Sequence, residues 1–224
     1  MPGMVGDDLL RQSNTNHLAE VLNVNNPTSF TDRENWFGEW YELAIEIGGT
    51  SDERLQGALS ALWRAAAIEG CYGHRDREPE EQDDVACTVS SLAEFGFLRG
   101  TVTLPTGHRG VCGCTAVRED GGSDWLDFYL PVNALERIDE RFGSYLFDQS
   151  GGEAVFSWRR TYDDWLADIG TSVYQEVPFR LGLIGFETSG SVDARELNGT
   201  PPEERWMGYL LPADGVLRYV AANR

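Results

Sequence analysis

The stretch Thr31-Asp-Arg-Glu-Asn-Trp-Phe-Gly-Glu-Trp-Tyr-Glu-Leu-Ala-Ile-Glu-Ile-Gly-Gly49 decides how the rest of the chain is read. Its first four residues, Thr31 to Glu34, have the form of a capping box, in which a threonine hydroxyl and a glutamate satisfy each other's backbone amides at a helix start. Trp36, Phe37, Trp40, Tyr41, Ala44 and Ile47 then recur at helical spacing. Gly48 and Gly49 stop the run. On such a helix Glu39, Glu42 and Glu46 share one face, three and four residues apart. A second box, Thr50 to Glu53, opens another helix with Leu55, Leu59, Leu62 and Ala66 as its apolar stripe and Gly70 beyond its end. The expectation is an N-terminal αα-hairpin.

Working outward, residues 1–28 read as a polar, asparagine-rich extension with a short helix from Asp7 to Leu22. Residues 71–84 read as a solvated loop, with five acids among the seven positions 78–84. From Val85 the apolar period changes to two. Val85–Leu92, Phe97–Leu104, Arg109–Val117 and Asp124–Leu130 read as strands. Their short links demand antiparallel neighbours, so the block predicts a four-stranded meander. Asn133 caps a short helix carrying Leu135, Ile138 and Phe142. Thr161 caps a longer one carrying Tyr162, Trp165, Leu166, Ile169, Val173 and Val177, which Pro178 ends. Arg180–Phe186 is a strand, and Arg205–Leu211 with Val216–Ala221 form a hairpin about Pro212–Gly215. Helices and strands come in blocks. The predicted fold is α+β: an antiparallel sheet, meander plus C-terminal strands, with the hairpin and two further helices packed on it. Residues 29–224 are expected to form a single domain.

The chain has 224 residues, with 18 basic and 37 acidic side chains and a formal charge of −19. Every basic residue is arginine, and lysine is absent. That excludes a Walker A lysine, a Ser-x-x-Lys acyl enzyme and a lysine Schiff base. The acidic balance argues against a nucleic-acid backbone as partner, because such binding needs basic side chains to displace counterions. It argues equally against an anionic membrane surface. The start of the chain lacks the basic and apolar regions of a secretory signal. No apolar run approaches the ~18 residues of a membrane span. The expectation is a cytoplasmic protein, and arginine to the exclusion of lysine suggests a GC-rich bacterial source.

Candidate chemistry is sparse. Cys71-x-x-His74 and Cys112-x-Cys114 supply four ligands of the types suited to zinc. No Cys-x-x-Cys knuckle accompanies them, and thiols alternating with Val111 and Val117 also suit a sheet core. The adopted reading is buried thiols, no metal and no cofactor. Asp127 shares a strand face with Trp125 and Tyr129, opposite Leu126, Phe128 and Leu130. With His108 and the Cys112/Cys114 strand it is the candidate catalytic group of a small metal- or carboxylate-dependent hydrolase. Arg75, Arg77, Arg109, Arg118, Arg159 and Arg160 can bind carboxylate or phosphate, although pairing with the chain's own acids is the plainer expectation. Gly182-Leu-Ile-Gly185 does not fit a phosphate cradle.

Charge complementarity gives the leading functional expectation: a non-enzymatic module that masks a basic protein partner, in the manner of an immunity protein or antitoxin. Its partner surface would comprise Glu39, Glu42 and Glu46 with Glu78, Glu80, Glu81, Asp83 and Asp84. The hydrolase is the alternative. A third reading is a structural subunit that dimerises through the helical hairpin.

Overall fold

Tyr41, Leu43, Ile45 and Ile47 alternate with Glu42, Ala44 and Glu46, and that alternation governs the segment. The structure, a computed structural model, describes residues 26–118, 122–144 and 152–224. In it Trp40–Gly49 is a β-strand, β1. The expected first helix is therefore corrected to a strand, and no N-terminal αα-hairpin forms. Its helical remnant is a single 3-10 turn, Arg33–Trp36, capped by Asp32, whose Oδ1 accepts the Glu34 amide at 3.1 Å. The Thr31 hydroxyl goes elsewhere, donating to Glu78 Oε1 at 2.5 Å. Gly38, at φ +86°, breaks the helical path between turn and strand. Aromatic and β-branched residues then favour the pleated form, where both faces can be buried. The expected helix between Asp7 and Leu22 lies outside the described residues.

Downstream the expected second helix forms, α1 (Asp52–Ala65), but its cap is Ser51, which accepts the Arg54 amide at 3.3 Å, in place of the expected box from Thr50 to Glu53. A short strand, β2 (Glu69–Tyr72), follows. The expected strand at 85–92 is corrected too: Val89–Phe95 is a helix, α2. Thr88 caps it by accepting the Ser91 amide at 3.1 Å, and Gly96, at φ +73°, ends it. The strands β3 (Leu98–Thr103), β4 (Arg109–Arg118) and β5 (Ser123–Pro131) come next. Then follow helices α3 (Val132–Glu136), α4 (Arg141–Ser144) and α5 (Gly152–Glu176). Strand β6 (Leu181–Phe186), helix α6 (Ala194–Leu197) and the hairpin β7 (Gly208–Ala213) and β8 (Val216–Val220) complete the described chain.

These strands form one open, eight-stranded sheet in the order β2-β3-β4-β5-β1-β6-β7-β8. All its pairings are antiparallel. β1, the first strand among the described residues, lies near the middle, between β5 and β6.

The alternation of β1 sorts the core. Tyr41, Leu43, Ile45 and Ile47 join Leu126, Phe128 and Leu130 of β5 in the main cluster, together with Leu55, Leu59 and Leu62 of α1 and Leu166, Ile169 and Val173 of α5. Each fully buried aliphatic side chain here stabilises the fold by roughly 1.5–3 kcal/mol. The opposite face is also covered. Ala44, Trp125, Leu183 and Tyr209 pack with Val192, Ala194 and Leu197 from the connection between β6 and β7. At the other end Val111 and Tyr129 pack with Phe30, Trp36 and Ala134. Among the described residues, no helix is long and apolar enough to cross a membrane.

Candidate functional site

Two acidic features emerge, one inside the molecule and one on its surface. The inner one follows from β1 being a strand. Glu42 and Glu46 point away from the main core, and the β6–β7 connection folds over them, leaving them 1% and 2% exposed. They are therefore not the solvated helix face expected of a partner surface. Glu39, next to them in sequence, is half-buried.

The backbone of the covering segment supplies donors. The amides of Thr188 and Ser189 donate to Glu42 Oε1 at 2.7 and 2.8 Å. The Ser189 hydroxyl donates to Oδ2 of Asp127, itself 2% exposed, at 3.0 Å. Glu46 accepts the Ser123 hydroxyl and the Ala194 amide, both at 2.8 Å.

Glu42 and Asp127 are diagonal neighbours across the β1–β5 ladder, where Ala44 faces Asp127 and Glu42 faces Tyr129. One oxygen of each, Glu42 Oε2 and Asp127 Oδ1, is buried with no hydrogen-bond partner. Removal from water disfavours the charged carboxylates. Burial, reinforced by the charge of Asp127, pushes Glu42 up to about 7 against the opposing amides of Ser189 and Thr188. Burial likewise pushes Asp127 up to about 6, with the Ser189 hydroxyl opposing it. Such a pair can hold and exchange a proton near neutrality.

The other members of the expected hydrolase constellation are not brought to this pair. His108 lies exposed at the β3–β4 turn, its Nδ1 3.3 Å from the Thr106 hydroxyl. Cys112 and Cys114 are buried in the main core, on the opposite face of the sheet from Asp127. Burial holds both thiols above their ordinary range, so neither is a ready nucleophile. Cys71 is 7% exposed in the same core, its thiol raised first by a hydrogen bond with Cys87, whereas His74 is exposed and edge-on to Phe95. Among the described residues, no group of three or more His, Cys, Asp or Glu is placed to hold a metal.

The surface feature is the connection from β2 to α2. Glu78 anchors it: its carboxylate accepts the Ser29 hydroxyl at 2.6 Å, the Phe30 amide at 2.9 Å, and the Thr31 amide and hydroxyl at 3.1 and 2.5 Å. These donors hold Glu78 below the usual carboxylate range although burial opposes them. Gln82 pins the connection from within, donating to the carbonyls of His74 and Arg77 at 2.9 and 2.8 Å. On this frame Glu80, Glu81, Asp83 and Asp84 stand exposed, and none of the four forms an ion pair among the described residues. Beside them a cleft of about 570 Å³ is lined by Glu69, Glu78, Glu80 and Asp84 against one arginine, Arg109, already paired with Glu69.

The sequence reading missed Thr188 and Ser189, whose amides hold Glu42, and the pairing of Glu42 with Asp127. The strict alternation from Tyr41 to Ile47 carried the signal, because it places Glu42 on the same strand face as Ala44 and Glu46. In comparisons with family models, with curated proteins and with solved structures, none matches this chain.

Proposed function

We propose that this chain is a binding module that covers a basic protein partner, in the manner of an immunity protein or antitoxin. The observation that supports it is the anchored acidic connection beside the cleft. Four exposed carboxylates, none in an ion pair among the described residues, sit on a backbone already fixed by Glu78 and Gln82. A cleft with four carboxylates and one guanidinium suits the entry of an arginine or lysine side chain. Preorganised charge of this kind speeds encounter and rejects acidic competitors. Glu42 and Glu46, being buried, take no part, so the partner surface reduces to Glu39 and Glu78–Asp84, with Glu69 added by the cleft.

The test is capture of a partner from cell extract at low salt, followed by association kinetics. Replacing Glu80 and Glu81 with glutamine, and Asp83 and Asp84 with asparagine, should slow association and flatten its salt dependence. A control of equal charge change, at Glu53, Asp164, Asp168 and Glu203, should have a smaller effect. An acidic partner, or equal effects of the two sets, would remove this reading.

A carboxylate-dependent hydrolase is the second reading, supported by Glu42 and Asp127 raised to about 7 and about 6. It requires a hydrolytic activity that Asp127→Asn abolishes in a protein that still folds.

A further inference from the structure

The opposite end of the same connection has the reverse charge. A cavity of about 660 Å³ lies between the 3-10 turn at Arg33–Trp36 and the backbone at Gly73–Asp76. Its charged lining is Arg33, Arg75 and Arg99 against one carboxylate, Asp76, with His74 beside them. Three guanidiniums less one carboxylate leave +2 in a chain whose net charge is −19.

Arg99 is the decisive residue. It is 8% exposed, with Nη1 donating to the carbonyls of Gly73 at 2.7 Å and Phe97 at 3.3 Å. Its guanidinium carbon lies 5.7 Å from the Trp36 ring and 5.3 Å from the Phe97 ring. Nε is buried with no partner, and no carboxylate is within ion-pairing distance of Arg99 among the described residues. The other deeply buried arginine, Arg159, has Asp163 at 3.0 Å. A buried guanidinium with no carboxylate in ion-pairing range is costly, and an anion in the cavity would offset that cost. Burial, with Arg75 adding to it against Tyr129 and Asp76, lowers the affinity of Arg99 for its proton.

Trp36, Phe37 and Phe95 supply an apolar wall, and Phe37 is 51% exposed with its ring open to a ligand.

We propose that this cavity is a binding site for a small phosphomonoester with a planar organic group, the phosphate meeting Arg33, Arg75 and Arg99 and the planar group lying on Phe37. A phosphomonoester carries close to two negative charges and several acceptor oxygens, which matches the +2 lining better than a single carboxylate does. The volume suits a ligand of this size. The site is independent of the acidic cleft, so either proposal can fail alone.

The experiment is calorimetric titration of the full chain with phenyl phosphate, inorganic phosphate and benzoate. Phenyl phosphate should bind one to one with a Kd on the order of 0.1–1 mM. Inorganic phosphate and benzoate should each bind about tenfold more weakly, one lacking the ring and the other the second charge. Arg33→Gln and Arg75→Gln, both at exposed positions, should each lower affinity for phenyl phosphate about tenfold. Phe37→Ala should weaken phenyl phosphate and leave inorganic phosphate unchanged. Arg99→Met is the strongest variant, with circular dichroism to check its fold; should it not fold, the two exposed arginines still decide the matter. Absence of phenyl phosphate binding up to about 10 mM, binding indifferent to Arg33 and Arg75, or benzoate binding as well as phenyl phosphate would each overturn the proposal.

Discussion

Glu42 and Asp127 meet at one residue: Ser189 donates its amide to the first carboxylate, at 2.8 Å, and its hydroxyl to the second, at 3.0 Å. Both groups are raised, to about 7 and about 6, so near pH 5 the folded protein holds protons that the unfolded chain releases. Their contribution to stability is present below the unfolded carboxylate range and is lost as pH rises through about 6 to 7. Glu78 and Asp139, both lowered, act in the opposite sense, and only as pH falls into the carboxylate range. Urea unfolding should therefore show stability falling between pH 5 and pH 8. Glu42→Gln should leave stability nearly unchanged at pH 5 and raise it by about 2 kcal/mol at pH 8. A wild-type profile that rises over this interval would contradict the assignment.

The acidic connection separates into residues that build it and residues that it displays. Glu78→Ala removes the acceptor for four donors in residues 29–31, and should cost about 2 kcal/mol. Glu80→Ala, at an exposed side chain, should stay within about 0.5 kcal/mol of wild type. Thermal unfolding of the two variants makes the comparison. Equal losses would mean that Glu78 is no anchor.

Asp163 holds a buried network together, accepting Arg159 Nε at 3.0 Å and, on its other oxygen, the Tyr41 hydroxyl. Asp163→Leu alone should destabilise by about 3 kcal/mol or more, because Arg159 loses its carboxylate. Arg159→Met combined with Asp163→Leu should recover part of that loss, since the buried guanidinium is removed while the Tyr41 hydroxyl still lacks its acceptor. A double variant no better than the single would show that the pair, and not the stranded charge, sets the cost.

Gly38 and Gly96 both have positive φ, +86° and +73°, yet they differ in surroundings. A Cβ at Gly38 would sit 2.7 Å from Asn133 Oδ1, whereas nothing lies within 4 Å of one at Gly96. Gly96→Ala should cost about 1 kcal/mol from backbone strain alone. Gly38→Ala should cost more, about 2–3 kcal/mol, as strain and crowding add. Denaturant midpoints of the two variants test the order.

The same Gly38 shows where the sequence was legible and where it was not. Strands β3, β4, β5 and β6 and the C-terminal hairpin follow from alternation bounded by turn residues, although the hairpin turns at Asp214-Gly215 with Pro212 and Ala213 inside β7. For residues 36–47 two periods coexist. Trp36, Phe37, Trp40, Tyr41, Ala44 and Ile47 fit a helix, and Tyr41, Leu43, Ile45 and Ile47 fit a strand. A capping box ahead of them favours the helix, although Gly38 stands inside the run. What the local pattern lacks is the cover over the second face, which comes from Thr188 to Leu197, far along the chain. Glutamates on that face look solvated until this cover is known. At 85–92 the error ran the other way: Thr88 and Gly96 bracket a helix too short for its period to stand out from alternation. The orphaned Nε of Arg99 leaves no trace in sequence, because the distance of a guanidinium from the chain's acids depends on the fold alone.

The position of β1 has a consequence for how the chain is made. Among the described strands it is the first to be synthesised, yet its neighbours are β5, complete at Pro131, and β6, complete at Phe186. At ordinary synthesis rates it waits on the order of ten seconds for either one, with both hydrogen-bonding edges bare. A naked run of aromatic and aliphatic residues is an aggregation hazard over such an interval. Glu42 and Glu46 break that run with carboxylates, which oppose pairing with like copies on neighbouring nascent chains. The Glu42 charge, which weighs against the finished structure above neutral pH, thus helps to guard its central strand during the wait.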